Sequence, residues 1–143
     1  MTAANGYNPL RWNCEVSGCY NAILRPKIEV FADCLPGKIA FTDVDCAVEV
    51  NGFFLFLEFK SGMPVELPRG QQIYFERLTR LSPRINVVLA CGDARTMAVS
   101  HIKIAYKGMF GPWQPIDLEG LRNRISQWSN RVRARSFLRL VAP

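Results

Sequence analysis

Apolar positions along this chain change period several times, and each change marks an element. The run Phe53-Phe54-Leu55-Phe56-Leu57-Glu58-Phe59 is apolar at odd and even positions alike, which predicts a strand buried on both faces. It follows Asn51-Gly52, a pair that favours the two-residue hairpin loop between strands. An antiparallel partner is therefore predicted over residues 44–50. A further strand-like run over residues 38–42 could join it as one bent strand. Upstream, Pro26 opens a predicted helix on which Ile28, Phe31, Ala32 and Leu35 recur at helical spacing until Pro36-Gly37 stops it.

Downstream of a loop over residues 62–68, a helix is predicted over 70–81, with Ile73, Leu78 and Leu81 on its buried side. Residues 84–91 carry the fully buried pattern Ile85-Asn86-Val87-Val88-Leu89-Ala90, and Gly92-Asp93 turns the chain into a strand over 97–106. An aromatic loop over 108–115 leads to a last helix over 117–136, whose Leu118, Leu121, Ile125, Trp128 and Val132 should face the core. Residues 1–12 read as a loose arm. At 143 residues and 49% apolar content, the chain can bury one full core. The expected organisation is a single domain, with an arm over 1–24, a core over 25–91 and a C-terminal strand and helix over 92–143.

The hairpin register turns this pattern into chemistry. With Asn51-Gly52 as the loop, Val50 faces Phe53, and counting outward sets Asp45 opposite Glu58 and Asp43 opposite Lys60. Paired residues share a face, with β-carbons roughly 4.5–5.5 Å apart. Two or three carboxylates converging beside an ammonium suit a hard divalent cation such as Mg²⁺, which takes oxygen ligands. The lysine could hold a nucleophilic water or offset charge on a phosphoryl group. An acid and a lysine on an apolar strand are costly to bury unless paired or metal-bound, which argues against a merely solvated ion pair.

Those residues resemble the PD-(D/E)XK nuclease superfamily, the restriction-endonuclease-like phosphodiesterases. Asp45 followed by Cys46-Ala47-Val48 matches the first acid and its gap, and Glu58-Phe59-Lys60 matches the second half; the proline of the family name is absent. The order of predicted elements over about residues 25–91 also matches the family core. The resemblance implies an α/β fold with an αβββαβ core, a mixed central sheet flanked by helices, and here an extra C-terminal helix. It further implies Asp45 and Glu58 as metal ligands, the Phe59 main-chain carbonyl as another, Lys60 as the catalytic group that orients the water or stabilises the transition state, and Mg²⁺ (or Mn²⁺) as cofactor. Asp43 is an additional or alternative ligand. Gln71 opens the following helix where many members carry a glutamine facing the metal, and Phe75 stands where the family's Gln-x-x-x-Tyr element has tyrosine. Glu29, on the first helix, is a rival for a further acid, and Glu15 a weaker one.

Charge extends the picture to a partner. A net charge of +6 suits a polyanion. Arg124, Arg131 and Arg135 lie off the apolar stripe of the last helix, with Arg122 and Arg133 beside it; such arginines can follow a phosphate backbone. The expected function is hydrolysis of DNA phosphodiester bonds by a small nuclease of the kind found in phages and mobile elements. A homodimer is compatible with the family. No apolar run is long enough to span a bilayer, and the first residues lack a signal-peptide pattern, so a cytoplasmic protein is expected.

Two rivals belong to other classes. One is a catalytically silent nuclease-fold accessory or inhibitor that binds nucleic acid or protein. The other is a zinc-stabilised interaction module using Cys14, Cys19 and Cys34, with His101 as a fourth ligand. Five cysteines are an odd number for an intracellular chain where disulfides are rare, and the Cys14–Cys19 spacing is wider than the usual structural zinc pattern. Cys46 and Cys91 fall inside predicted strands as small hydrophobes, and His101 reads as a polar strand position.

Overall fold

The computed structural model describes residues 27–141, and side chains from residue 27 to 135. The described residues fall into two compact units, divided between Thr42 and Asp43. In the first, the predicted helix is a 3-10 helix, Ile28–Cys34, with no buried residue. Leu35 leaves it with extended dihedrals (φ −111°, ψ 140°), the conformation that a following proline imposes. So few residues between Pro26 and Pro36 cannot sustain an α-helix without a packed face. Phe31 instead meets Phe41 edge-on at 6.1 Å. The expected strand over 38–42 does not form; these residues join no ladder and are exposed.

The second unit is built on a mixed six-stranded sheet of β1 (Cys46–Val50), β2 (Phe53–Ser61), β3 (Ile85–Asp93), β4 (Ala98–Tyr106), β5 (Met109–Phe110) and β6 (Gln114–Pro115). The order is β1-β2-β3-β4-β5, with β6 also on β4. Asn51 (φ 52°) and Gly52 (φ 82°) make the expected turn, whose left-handed dihedrals match strand twist. Val50 then faces Phe53, and the β1–β2 ladder runs to Cys46 opposite Leu57. Helix α1 (Arg69–Arg80) connects β2 to its parallel neighbour β3. The β3–β4 pair is antiparallel, and α2 (Leu118–Val141) closes the described chain. Among the described residues, two strands precede α1 where three were expected.

Alternation along the strands divides the core into two layers. Phe53 and Leu55 of β2, Val88 and Ala90 of β3, and Ile102 of β4 pack against Leu121, Trp128 and Val132 of α2. On the opposite face, Val87, Leu89 and Ala105 pack against Phe75 of α1. The sheet is thus flanked by a helix on each side. Strand β3, buried continuously from Val87 to Cys91, is the doubly covered one. Strand β2 is not, because only short β1 lies outside it and Phe54 remains 41% exposed.

Phe75 and Thr79, one turn apart, carry the buried face of α1, whereas Leu81 sits past the helix end and is 78% exposed. The Thr79 hydroxyl donates to the Phe75 carbonyl (2.9 Å) and accepts the Gly108 N–H (3.0 Å). This ties α1 to the turn after β4, where Gly108 adopts φ 82°. Thr79→Val keeps the shape but strands a buried N–H. It is expected to lower unfolding free energy by about 1–3 kcal/mol in urea titrations, and an unchanged midpoint would show the tie to be inconsequential.

Candidate active site

Alternation puts Glu58 and Lys60 on the α1 face of β2, and α1 closes over them with Gln71. Glu58 is 6% exposed. Its Oε1 accepts Lys60 Nζ at 2.9 Å and Gln71 Nε2 at 2.8 Å. A carboxylate this buried is tolerable because charged and amide donors replace its water. Gln71 reaches it because Pro68 starts α1 in the extended conformation and the buried Phe75 fixes the helix four residues on. Phenylalanine at that position is consistent with its environment: its ring is 1% exposed in an apolar layer. Gln72 turns away to Glu76 (2.8 Å).

Asp45 lies one residue beyond the ladder and replaces it with side-chain bonds. Its Oδ2 accepts the Phe59 N–H at 2.6 Å, and its own N–H donates to Glu58 Oε2 at 3.3 Å. In an antiparallel pair the N–H and C=O of one residue point to the same side, so the Phe59 carbonyl turns toward this same edge. Asp45 and Glu58 are therefore neighbours, as the register predicts. Asp43 is exposed and lies further outside the ladder; Lys60 finds its carboxylate two residues back on its own strand.

The oxygen donors of this cluster fit a hard cation. Asp45 has a second carboxylate oxygen, and the Gln71 Oε1 is buried with no hydrogen-bond partner, a costly arrangement unless something else meets it. Only two carboxylates stand together: among the described residues no group of three or more His, Cys, Asp or Glu could hold a metal. Glu29 is exposed on the 3-10 helix of the first unit; Glu15, Cys14 and Cys19 lie outside the described residues. Cys34 is exposed beside Asp33, and His101 shares a hydrogen bond with Ser100 at 3.0 Å on β4.

Arg122, Arg124, Arg131, Arg133 and Arg135 are all exposed on α2. Since α2 packs on the layer of Phe53 and Leu55, these arginines belong to the sheet face opposite Glu58. The structure does not bring the basic helix and the carboxylates together on one surface. Arg135 instead stacks on Phe53 at 5.9 Å.

Sequence reasoning missed Cys46 as a neighbour of the site. Its sulfur sits 3.9 Å from the Leu57 carbonyl although the residue is exposed overall. Burial of the thiol, then the Asp45 and Glu58 carboxylates, push its pKa up; its position one residue after Asp45 was the available signal.

No family model, no curated protein and no solved structure matches this chain. Among the described residues, no helix is long and apolar enough to cross a membrane.

The raised thiol pKa gives a test of the site's negative field. Below that pKa the Cys46 thiolate fraction is depressed, so iodoacetamide should modify Cys46 more slowly than exposed Cys34 at mildly alkaline pH. Asp45→Asn removes one negative neighbour, lowers the pKa and should speed modification, followed by mass spectrometry of the Cys46 peptide. An Asp45→Asn rate equal to wild type would place the carboxylate's charge away from the sulfur.

Proposed function

We propose that this protein is a metal-dependent nuclease of the PD-(D/E)XK type that hydrolyses DNA phosphodiester bonds in the cytoplasm. The observation that carries the reading is the buried Glu58, bonded at once to Lys60 and Gln71 with Asp45 beside it. In this reading β1, β2, α1 and β3 are the motif-bearing part of a restriction-endonuclease-like core. Asp45, Glu58 and the Phe59 carbonyl would hold Mg²⁺, with Asp43 as an additional ligand. When bound, the cation supplies an acidified water and neutralises charge on the scissile phosphate.

The chain's own groups do the positioning. Phe59 N–H fixes one oxygen of Asp45 and so aims the other outward. Gln71 holds Glu58 from the helix side, and its buried, unpartnered carbonyl oxygen would accept from the attacking water. Lys60, on the same carboxylate oxygen, can donate to that water or to a non-bridging phosphate oxygen as negative charge accumulates. Attack at phosphorus breaks the bond to the leaving oxygen, which then takes a proton. Arg122, Arg124, Arg131, Arg133 and Arg135 are proposed as peripheral contacts for a DNA backbone that extends past the sheet edge.

A panel of labelled linear duplex, branched and single-stranded DNA, with RNA alongside, tests the reading in Mg²⁺ and in Mn²⁺. Cleavage is expected with either metal and lost in EDTA. Asp45→Ala and Glu58→Ala should abolish it, and Lys60→Ala should cost about 10²–10³-fold in rate. Gln71→Ala should cost about 10–100-fold as the group orienting a ligand. Glu58→Ala cleaving as wild type would refute the site. Tight DNA binding without cleavage across the panel would favour the catalytically silent accessory.

A further inference from the structure

On the other side of the sheet, side chains of α2 and of β2–β4 leave a cavity of about 330 Å³. Its walls are aliphatic: Leu55, Val88, Ile102 and Ile104 from the sheet, Leu121 and Ile125 from the helix. That volume falls at the small end of the range of about 300–1,000 Å³ typical of ligand pockets. Apolar walls alone name no ligand, but of the polar side chains here Arg124, Arg131 and Trp128 can only donate, while the Asn86 and Gln127 amides donate and accept. Arg124 and Arg131 line it, and neither meets a carboxylate among the described residues. Arg124 donates only to the neutral amide oxygen of Gln114, at 3.2 Å.

The third donor is the indole N–H of Trp128. The residue is 8% exposed, lines the cavity, and its Nε1 is buried with no hydrogen-bond partner. A buried donor without an acceptor is destabilising, and native structures seldom keep one without a reason. Asn86 and Trp128 also border an adjoining cavity shared with Arg131 and Arg135, so the cationic character continues along the groove. Two guanidiniums and an N–H around aliphatic walls reject cations. The aliphatic walls also disfavour polyols, most of whose hydroxyls would lie unpaired against them. A duplex phosphate backbone has no apolar group to fill the space.

We propose that this cavity binds a compact apolar monoanion, a medium-chain aliphatic carboxylate, with its chain between α2 and the sheet and its head group on Arg124, Arg131 and the Trp128 N–H. The burial of the chain supplies affinity, and the donors fix orientation and exclude neutral analogues. The site is separate from the Glu58 cluster, on the opposite face of β2.

Calorimetric titration of the full chain with sodium octanoate, and in parallel with octanol, tests this. Octanoate should bind saturably at one site, with octanol at least about tenfold weaker. Arg131→Gln and Arg124→Gln are surface changes expected to retain the fold, and each should weaken octanoate about tenfold while leaving octanol unchanged. Trp128→Phe keeps an aromatic ring in the core while removing the donor and one ring of the indole, and should weaken octanoate several-fold with a melting curve that remains cooperative. Glu58→Ala should bind octanoate as wild type does, so loss of cleavage and loss of this site are read separately. Equal binding of octanol and octanoate, unaltered octanoate binding in Arg131→Gln, or no saturable heat up to about 10 mM ligand would each overturn the proposal.

Discussion

Parallel pairing of β2 with β3 is the constraint on which the second unit rests. It sets Glu58 beside Leu89 and Lys60 beside Cys91, so that the polar end of β2 shares a face with the most buried residues of the sheet. A parallel pair cannot be joined by a tight turn, and the connection here is α1. The same requirement that makes the crossover a helix therefore lays Gln71 over Glu58. Phe75 and Thr79 secure that helix to the apolar layer, and the carboxylate can remain buried because the helix brings a donor with it.

The two faces of β2 then serve different ends. One carries Phe53 and Leu55 into the layer under α2; the other carries Glu58 and Lys60 under α1. Side-chain alternation makes this separation rigid, since moving a residue from one face to the other needs a one-residue slip of the ladder. The Asn51-Gly52 turn prevents that slip by fixing Val50 opposite Phe53. The carboxylates under α1 and the arginines of α2 accordingly lie on two surfaces, with the sheet between them.

At the end of β1 the backbone ladder gives way to side-chain bonds. Asp45 accepts the Phe59 N–H that a further strand residue would have taken, so a potential ligand is also a structural cap. Its orientation is thereby set by the backbone itself, the form of preorganisation that the proposed metal site requires. Cys46 registers the result, its thiol held up by burial and by the two adjacent acids.

Much of this was legible in the sequence. The Asn-Gly turn fixed its own register because its dihedrals suit few other residues, and counting outward from it put Asp45 near Glu58. The apolar stripe of α2 was equally local, and Leu121, Trp128 and Val132 are buried as its spacing requires. The sequence could not tell which of two apolar strands is central, since that depends on what lies beyond each: β3 has neighbours on both sides, whereas β2 is shielded only by short β1. Nor could it stop the ladder at Cys46, leave Asp43 outside it, or turn Lys60 to Glu58, because side-chain partners are chosen by distance in the folded sheet. The failure of the first helix and of the strand over 38–42 has the same origin, for periodicity without a packed face leaves a short segment little to gain from regular structure. The cavity beneath α2 was invisible for the converse reason: its residues come from four distant elements, and only their packing brings two arginines and an unpaired indole N–H around one apolar space.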